Sequence, residues 1–421
     1  MGLRFESALQ SIVQGAECIM KLSPESEAVV KETASVVADI ADDATVLFYR
    51  DMFAAHPELL NVFNQANQAI GEQPKALAAS VVAFAVHLID PDAPDFTPVI
   101  QRIAHKHVSL GITASQYLIV GRYLLGAVAK VLGDAATPEI AAAWDEVYWL
   151  FATALIAEEA RLYAEAGTDP AVPYRQYRVV ERFEESDEVF SLLLSPVEGQ
   201  VPSHYTGQYV SIAVDLPDGY RQPRQYTISS GPRGDSLRVT IKRVRGVDGA
   251  PDGRVSTWLH ENATPGTILD VSQPAGDVIL QDSDKPLVLV SAGIGITPVA
   301  AIMEDLSRRQ PDRTVRLFHA DKTHDHHALY DGLRRQVLAM SDARAQNWYE
   351  EGAEQAPTLH PARPGFMDLS DVELPADAEV FMCGPLPFMQ IARKTLMDQG
   401  VPSESIHYEV FGPDMWAQRP A

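Results

Sequence analysis

Ser291-Ala-Gly-Ile-Gly-Ile-Thr-Pro298 is the stretch on which the reading of this chain turns. An apolar run, Leu287-Val-Leu-Val, precedes it, and a helical pattern follows from Pro298. Strand, glycine turn and helix in that order make the first half of a crossover unit. Gly293 and Gly295 permit a tight turn and a close backbone approach to a phosphate. Thr297 is placed to cap the helix, and Pro298 suits its first turn. The helix N-terminus then offers unpaired N–H groups to an anion. Pro298 occupies the sixth position, so the segment departs from the GxGxxG fingerprint. The competing reading is a plain strand-to-helix turn.

Downstream, Val315-Arg-Leu-Phe-His and Glu379-Val-Phe-Met-Cys read as further strands, with helical stretches between them and a helix over 387–399. Alternating strands and helices predict a parallel sheet. Cys383, Gly384 and Pro385 end the last of these strands, at the sheet edge where ligands bind in open α/β folds. That placement favours Cys383 as a site residue over a core thiol. After the second strand, Asp321 disfavours a 2′-phosphate and Lys322 tolerates one, which leaves NADH and NADPH both open. The histidines of His319-Ala-Asp-Lys-Thr-His-Asp-His-His327 read as a surface loop rather than as metal ligands.

Upstream, between residues 174 and 283, the period is two, with runs such as Phe190-Ser-Leu-Leu-Leu and Tyr209-Val-Ser-Ile-Ala-Val. This predicts an antiparallel β-barrel or sandwich with little helix. Within it, Arg224-Gln225-Tyr226-Thr227 supplies a cation for a pyrophosphate, a flat ring and a hydroxyl. Gly253, Val255 and Ser256 offer a backbone cradle at a helix start. Singly, Tyr226 is an ordinary strand aromatic and Ser256 an ordinary cap. As an ordered set with GxGxTP and CGP they are specific. Residues 174–413 resemble the ferredoxin–NADP reductase superfamily, an FAD-binding barrel followed by a nicotinamide-binding α/β domain. The resemblance implies that Arg224, Gln225, Tyr226, Thr227, Gly253, Val255 and Ser256 contact FAD, with Tyr209 of Thr-Gly-Gln-Tyr as a further flavin-side residue. It implies that Phe411 is the aromatic lying against the flavin until nicotinamide displaces it.

Before residue 165 the period is helical, as in Leu77, Val81, Val82, Phe84, Ala85 and Leu88. Residues 23–165 read as all-α, and Ser23-Pro24 as a helix start. Ile103-Ala-His-Lys-His-Val-Ser-Leu holds two imidazoles, the usual axial group for haem iron. His105 and His107 face different directions on a helix, so only one of them can point at an iron. Taken alone, a helical histidine is more often a surface or capped residue, and Tyr49 and Phe63 read as core aromatics. Together, LFYRDMF, VFNQANQ, IAHKHVS, QYLIVGRYLL and AEEARLY occur in an order that resembles the flavohaemoglobins, over about residues 23–413. That family fuses a globin to an FAD/NAD reductase. The resemblance makes His107 the iron ligand, puts Tyr49, Gln73 and Leu77 in the distal pocket and sets Phe63 against the haem face. Tyr117 and Glu159 become the proximal residues that hydrogen-bond around the histidine, and Lys106 lies near a propionate. A carboxylate oriented on a ligating histidine strengthens its donation to iron and favours O₂ activation over storage. Pro74 directly after Gln73, Thr227 where serine is common, and about twenty added residues before Ser23 depart from the pattern.

The chain has 421 residues, 34 basic against 57 acidic, a net charge of −23. That excludes a broad nucleic-acid or anionic-membrane surface and leaves room for a local phosphate site. Two cysteines far apart, Cys18 and Cys383, predict reduced thiols in a cytoplasm. The N-terminus is too polar for a signal peptide, and the apolar stretch Pro286–Met303 reads as strand, turn and helix rather than a membrane span. A helical face at Leu9, Ile12, Val13 and Ala16 reads as a short docked helix. The expected organisation is an extension over 1–22, a globin over 23–165, a linker over 166–173, an FAD barrel over 174–283 and an NAD(P) α/β domain over 284–421. The expected function is nitric oxide dioxygenation to nitrate with haem b, FAD and NAD(P)H, and O₂ and NO as small-molecule partners. A hydrophobic ligand in the haem pocket is left open as a further partner, and so is oligomeric state. The alternatives are an O₂-binding or sensing haem protein with an attached reductase, and a flavin reductase with an empty globin.

Overall fold

The computed structural model describes residues 21–63, 72–232, 234–246 and 251–411, with backbone alone for 72–76 and Ala78. The N-terminal helical face, Cys18 and the Gln73 side chain therefore lie outside the described residues. By their contacts the residues form two compact units, one ending at Leu162 and the other running from Tyr163. His105–Gly111 groups with the second unit.

Helices α1 (Pro24–Asp39), α2 (Ala41–Ala55), α3 (Glu72–Ile89), α4 (Thr97–Leu110), α5 (Ala114–Leu132) and α6 (Pro138–Ala166) follow in order. The Ser23 hydroxyl accepts from the Ser26 N–H at 3.3 Å and donates to Glu146 at 2.8 Å, capping α1 and tying it to α6. Thr113 and Gln116 form a capping box that starts α5. Phe84, Phe96 and Phe151 stack inside, with Phe84 and Phe151 centroids 5.0 Å apart. By length and composition α6 could cross a membrane, with a mean hydropathy of 1.3. Its apolar face is nevertheless buried, at Trp144, Val147, Tyr148, Phe151 and Leu155.

In the second unit, β1 (Tyr174–Ser186), β2 (Val189–Pro196), β3 (Tyr209–Asp215), β4 (Arg221–Thr227), β5 (Leu237–Lys242) and β6 (Ile268–Ser272) pair antiparallel in the order β4-β3-β6-β1-β2-β5. A bridge from Ile228, just past β4, to Val239 of β5 joins the two edges, so the sheet closes into a barrel. Helix α7 (Arg254–Asn262) seats Val255 and Leu259 in its core.

A parallel sheet follows, built from β7 (Leu287–Ala292), β8 (Val315–Asp321), β9 (Ala343–Tyr349), β10 (Arg363–Pro364), β11 (Glu379–Cys383) and β12 (Ile406–Glu409). Its order is β10-β9-β8-β7-β11-β12. Strand order therefore reverses between β7 and β11, which makes that crevice the switch point where such folds bind ligands. Helices α8 (Ile296–Arg309), α9 (Tyr330–Ala339) and α10 (Leu386–Asp398) supply the crossovers.

Two details of the glycine segment differ from the sequence reading. The helix starts at Ile296, after a 3₁₀ turn at Gly293–Gly295. Thr297 is then inside the helix, and its hydroxyl donates back to the Ile294 carbonyl at 3.1 Å instead of capping.

Barrel and parallel sheet are braced by carboxylates, Glu185 part-exposed and Asp305 buried. Glu185 accepts from the Ser191 hydroxyl at 2.6 Å and from the Leu329 N–H at 3.0 Å. Asp305 of α8 accepts from Thr206 at 2.8 Å and from both arms of Arg309 at 2.7 and 2.8 Å. Burial raises the Asp305 pKa, but the Arg309 and Thr206 bonds outweigh it and hold the carboxyl below its ordinary value. A depressed carboxyl contributes stability above its unfolded pKa, about 3.9. That contribution is lost as pH falls through the folded value. Asp305→Ala is expected to lose about 1.5–3 kcal/mol at neutral pH, the range for charged hydrogen bonds. Its deficit against wild type, followed by urea unfolding, should shrink below about pH 4.

Candidate functional site

Both glycine turns sit at the switch point and touch. Gly295 has φ −61°, which any residue can adopt, yet a Cβ there would lie 2.5 Å from the Cys383 carbonyl carbon and 2.8 Å from the Gly384 nitrogen. Its glycine serves a backbone-to-backbone approach between the two turns. Gly293 has the opposite need. Its φ is +53°, and a Cβ would meet nothing within 4 Å, so it faces open space at the start of α8. A Cβ on Gly384 would meet the Phe388 ring at 2.9 Å and the Ala292 nitrogen at 3.2 Å. Pro298 is buried within α8, and Pro385 is the N-cap of α10. Cys383 is fully buried, and burial, then Glu409, pushes its thiol pKa far up. Its carbonyl, not its thiol, is what it presents to the other turn.

Register joins the barrel motifs. In the β3–β4 ladder Tyr209 pairs Thr227, Val210 pairs Tyr226, Ser211 pairs Gln225 and Ile212 pairs Arg224. Thr-Gly-Gln-Tyr and Arg-Gln-Tyr-Thr thus become neighbours although fifteen residues separate Tyr209 from Arg224. The Arg224 guanidinium donates to the Pro223 carbonyl at 2.6 Å and to Gln222 at 3.3 Å, and burial lowers its pKa. A cation held where burial disfavours it is offset by an anionic group, so this position fits a pyrophosphate. Burial likewise raises the Tyr226 phenol. Gly253 precedes α7, where a Cβ would meet the Val244 side chain at 2.7 Å. The Ser256 hydroxyl donates to the Gly253 carbonyl at 3.0 Å and accepts from the Val244 N–H at 3.1 Å. Val255 points into the barrel core. The donor of the Ser256 hydroxyl is thus engaged within the cradle. Phe411, half exposed, is the last described residue.

In the helical unit, Tyr49 is buried among aromatics, 4.5 Å from Phe48, 5.6 Å from Phe53 and edge-on to Phe63 at 5.8 Å. Leu77 is half-buried on α3, and Gln73 lies in the first turn of that helix. Tyr117 and Glu159 are both buried, and the Tyr117 hydroxyl donates to Glu159 Oε1 at 2.5 Å. Burial, then the Glu159 charge, raises the Tyr117 pKa and keeps it a donor. The Tyr148 hydroxyl donates to the Tyr117 carbonyl at 2.6 Å. His107 lies in the last turn of α4 and Lys106 just before it, within the segment that groups with the barrel. An imidazole near a helix end, and in the helical unit a cluster of aromatics and a buried carboxylate, are the kinds of group that suit haem.

The globin family model matches residues 46–155, and that of the oxidoreductase NAD-binding domain matches residues 289–394. The flavohemoprotein of Bordetella parapertussis is 41% identical over 402 residues, covering 93% of this chain and 98% of its own. That of Deinococcus radiodurans is 41% identical over 400 residues, covering 93% and 97%. The chain belongs to the flavohemoprotein family. The flavohemoglobin of Malassezia yamatoensis, solved with bound FAD and heme, has a TM-score of 0.84 at 34% identity, over 93% of this chain and 100% of that one. The FAD/NAD-binding domain of the Vibrio cholerae nitric oxide dioxygenase has a TM-score of 0.53 at 34% identity, over 57% of this chain and 99% of that one. This flavohemoprotein is thus a globin helical domain followed by an FAD/NAD reductase module.

One expectation fails near the reductase site. The histidine-rich stretch is not a surface loop throughout. His319 is fully buried in β8, with Nδ1 2.9 Å from the Ser291 hydroxyl. His327 is buried against Tyr349, 2.8 Å from its hydroxyl, and burial pushes its pKa well down. The two rings lie 4.0 Å apart. The signal was present in the period of β8, where Val315, Leu317 and His319 share a face. Among the described residues no group of three or more His, Cys, Asp or Glu side chains could hold a metal ion.

Proposed function

We propose that this flavohemoprotein is an NAD(P)H-dependent nitric oxide dioxygenase with haem b, FAD and a nicotinamide cofactor. The buried Tyr117–Glu159 pair carries the reading, because a carboxylate held by a neighbouring hydroxyl is the group that, when it orients a ligating histidine, suits O₂ activation better than storage. The bound haem and FAD of the Malassezia relative and the activity named for the Vibrio cholerae relative support it. When bound, FAD would convert hydride into single electrons, and haem would supply the iron at which O₂ and NO react.

This chain's residues hold and orient those groups. His107 would be the iron ligand, with Tyr117 and Glu159 orienting its ring. Tyr49 and Gln73 would hydrogen-bond the gas ligand, while Leu77 and Phe63 keep the pocket apolar and Lys106 meets a propionate. Arg224 would neutralise pyrophosphate, and Tyr209, Gln225, Tyr226, Thr227 and the backbone of Gly253, Val255 and Ser256 would hold the flavin. Gly293, Gly295, Thr297 and Pro298 would form one side of the nicotinamide crevice, and Cys383, Gly384 and Pro385 the other. Phe411 would cover the flavin. Domains over 23–165, 174–283 and 284–421 belong to the same proposal.

Aerobic NADH oxidation should rise on addition of NO, with one nitrate formed per NO consumed. Stable O₂ binding with slow, NO-independent NADH use would overturn the dioxygenase reading in favour of an O₂ binder.

A further inference from the structure

His105 stands two residues before His107 and is turned elsewhere. Two helical positions lie about 200° apart round the axis, whereas residues four apart share a face. His105 and Ser109 are such a pair, and both are held by the barrel. The Gly276 N–H donates to His105 Nδ1 at 3.0 Å. Nδ1 is therefore an acceptor, and the ring proton belongs on Nε2. The Ser211 hydroxyl donates to the Ser109 hydroxyl at 3.1 Å, and the Tyr174 hydroxyl to the Ser109 carbonyl at 3.1 Å. Ser109 and Ser211 are completely buried.

The far side of this contact is Tyr209. Its N–H donates to the Ala275 carbonyl at 2.8 Å, and the Ala275 N–H donates back at 2.9 Å. Gly276 has φ +121°, and a Cβ there would lie 3.2 Å from the Tyr209 ring. The Gly276 turn is thus pressed on Tyr209 on one side and hydrogen-bonded to His105 on the other.

We infer that His105 is a positioning residue: by accepting from the Gly276 N–H it fixes the helical turn that carries His107 against the strand start that carries Tyr209. The inference rests on the electron path of the proposed function, in which His107 serves haem and Tyr209 serves FAD. A fixed register between these two residues sets the separation across which electrons pass.

The test compares His105→Leu, which removes the acceptor, with His105→Asn, whose Oδ1 can replace Nδ1. Each is mixed anaerobically with NADH as holoprotein, and flavin bleaching and the Soret shift are followed separately. H105L should bleach its flavin at the wild-type rate yet reduce haem about tenfold more slowly, within the range a misplacement of about 1 Å can cost. H105N should recover most of that loss. Hydrogen exchange at the Gly276 amide should speed up in H105L and not in H105N. If H105L folds poorly, Ser211→Ala decides, with a smaller slowing confined to the haem step. Wild-type haem reduction together with unchanged Gly276 exchange in H105L overturns the inference, as does equal slowing of both steps. A wild type whose Soret band never shifts overturns the electron path itself, while Gly276 exchange still tests His105.

Discussion

Gly295→Ala is expected to destabilise the reductase unit by about 3 kcal/mol, the upper end of ordinary overpacking. It should also cut NADH-driven flavin reduction sharply. The added methyl would lie 2.5 Å from the Cys383 carbonyl carbon and closer still to its oxygen, and both are backbone atoms at the end of a central strand. No side chain can rotate away to make room. Relief requires β7 and β11 to part at their carboxyl ends, where the strand order reverses. The proposed nicotinamide crevice would deform with them. Gly293→Ala is the control. It meets open space and suffers only from φ +53°, a strain of about 1–2 kcal/mol for a side-chain-bearing residue. Urea unfolding reads the contrast in stability, and anaerobic flavin bleaching by NADH reads the deformation in Gly295→Ala. Equal stability losses in the two variants would refute the claim that Gly295 serves the contact between turns.

That contrast marks how much was legible beforehand. GxGxTP after an apolar run identified strand, turn and helix, because those glycines and that spacing have few other uses. It did not separate the two glycines, since one answers to φ and the other to a strand almost ninety residues away. The barrel was legible from period two, but the pairing of Tyr209 with Thr227 needed the register. Strands β6, β9, β10 and β12 were not located in advance; β10 is only two residues long, and β9, Ala343-Arg-Ala-Gln-Asn-Trp-Tyr, has polar residues where a buried strand is expected to be apolar. His319 and His327 were misread because a run of four histidines within nine residues looks solvated by composition. Burial there follows from strand period and from partners far along the chain, Ser291 and Tyr349. For His105, helical geometry showed only that it could not share the direction of His107. Its partner Gly276 lies 171 residues away.

Glu159→Gln should lower NO dioxygenation about 10–100-fold while haem is retained, the range seen when a partner of a metal-ligating histidine is altered. The side chain keeps its shape and an acceptor oxygen for Tyr117, so packing around it is preserved. What disappears is the negative charge. Tyr117 cannot replace that charge, because burial, the largest cause of its raised phenol pKa, remains and keeps it protonated. If Glu159 orients the ligating imidazole, the amide should weaken donation to iron, and the iron–histidine stretch of the ferrous protein should fall in frequency. Loss of a merely structural contact would leave that frequency alone. Tyr117→Phe separates the two roles of the pair. It removes the 2.5 Å bond but leaves the carboxylate charged, so turnover should fall less than in E159Q. Reduction of flavin by NADH should match wild type in both variants, because the residues proposed for the nicotinamide crevice are untouched. An E159Q protein with an unchanged iron–histidine frequency and full NO turnover would remove Glu159 from the mechanism. The reading of O₂ activation would then rest on Tyr49 and Gln73 alone.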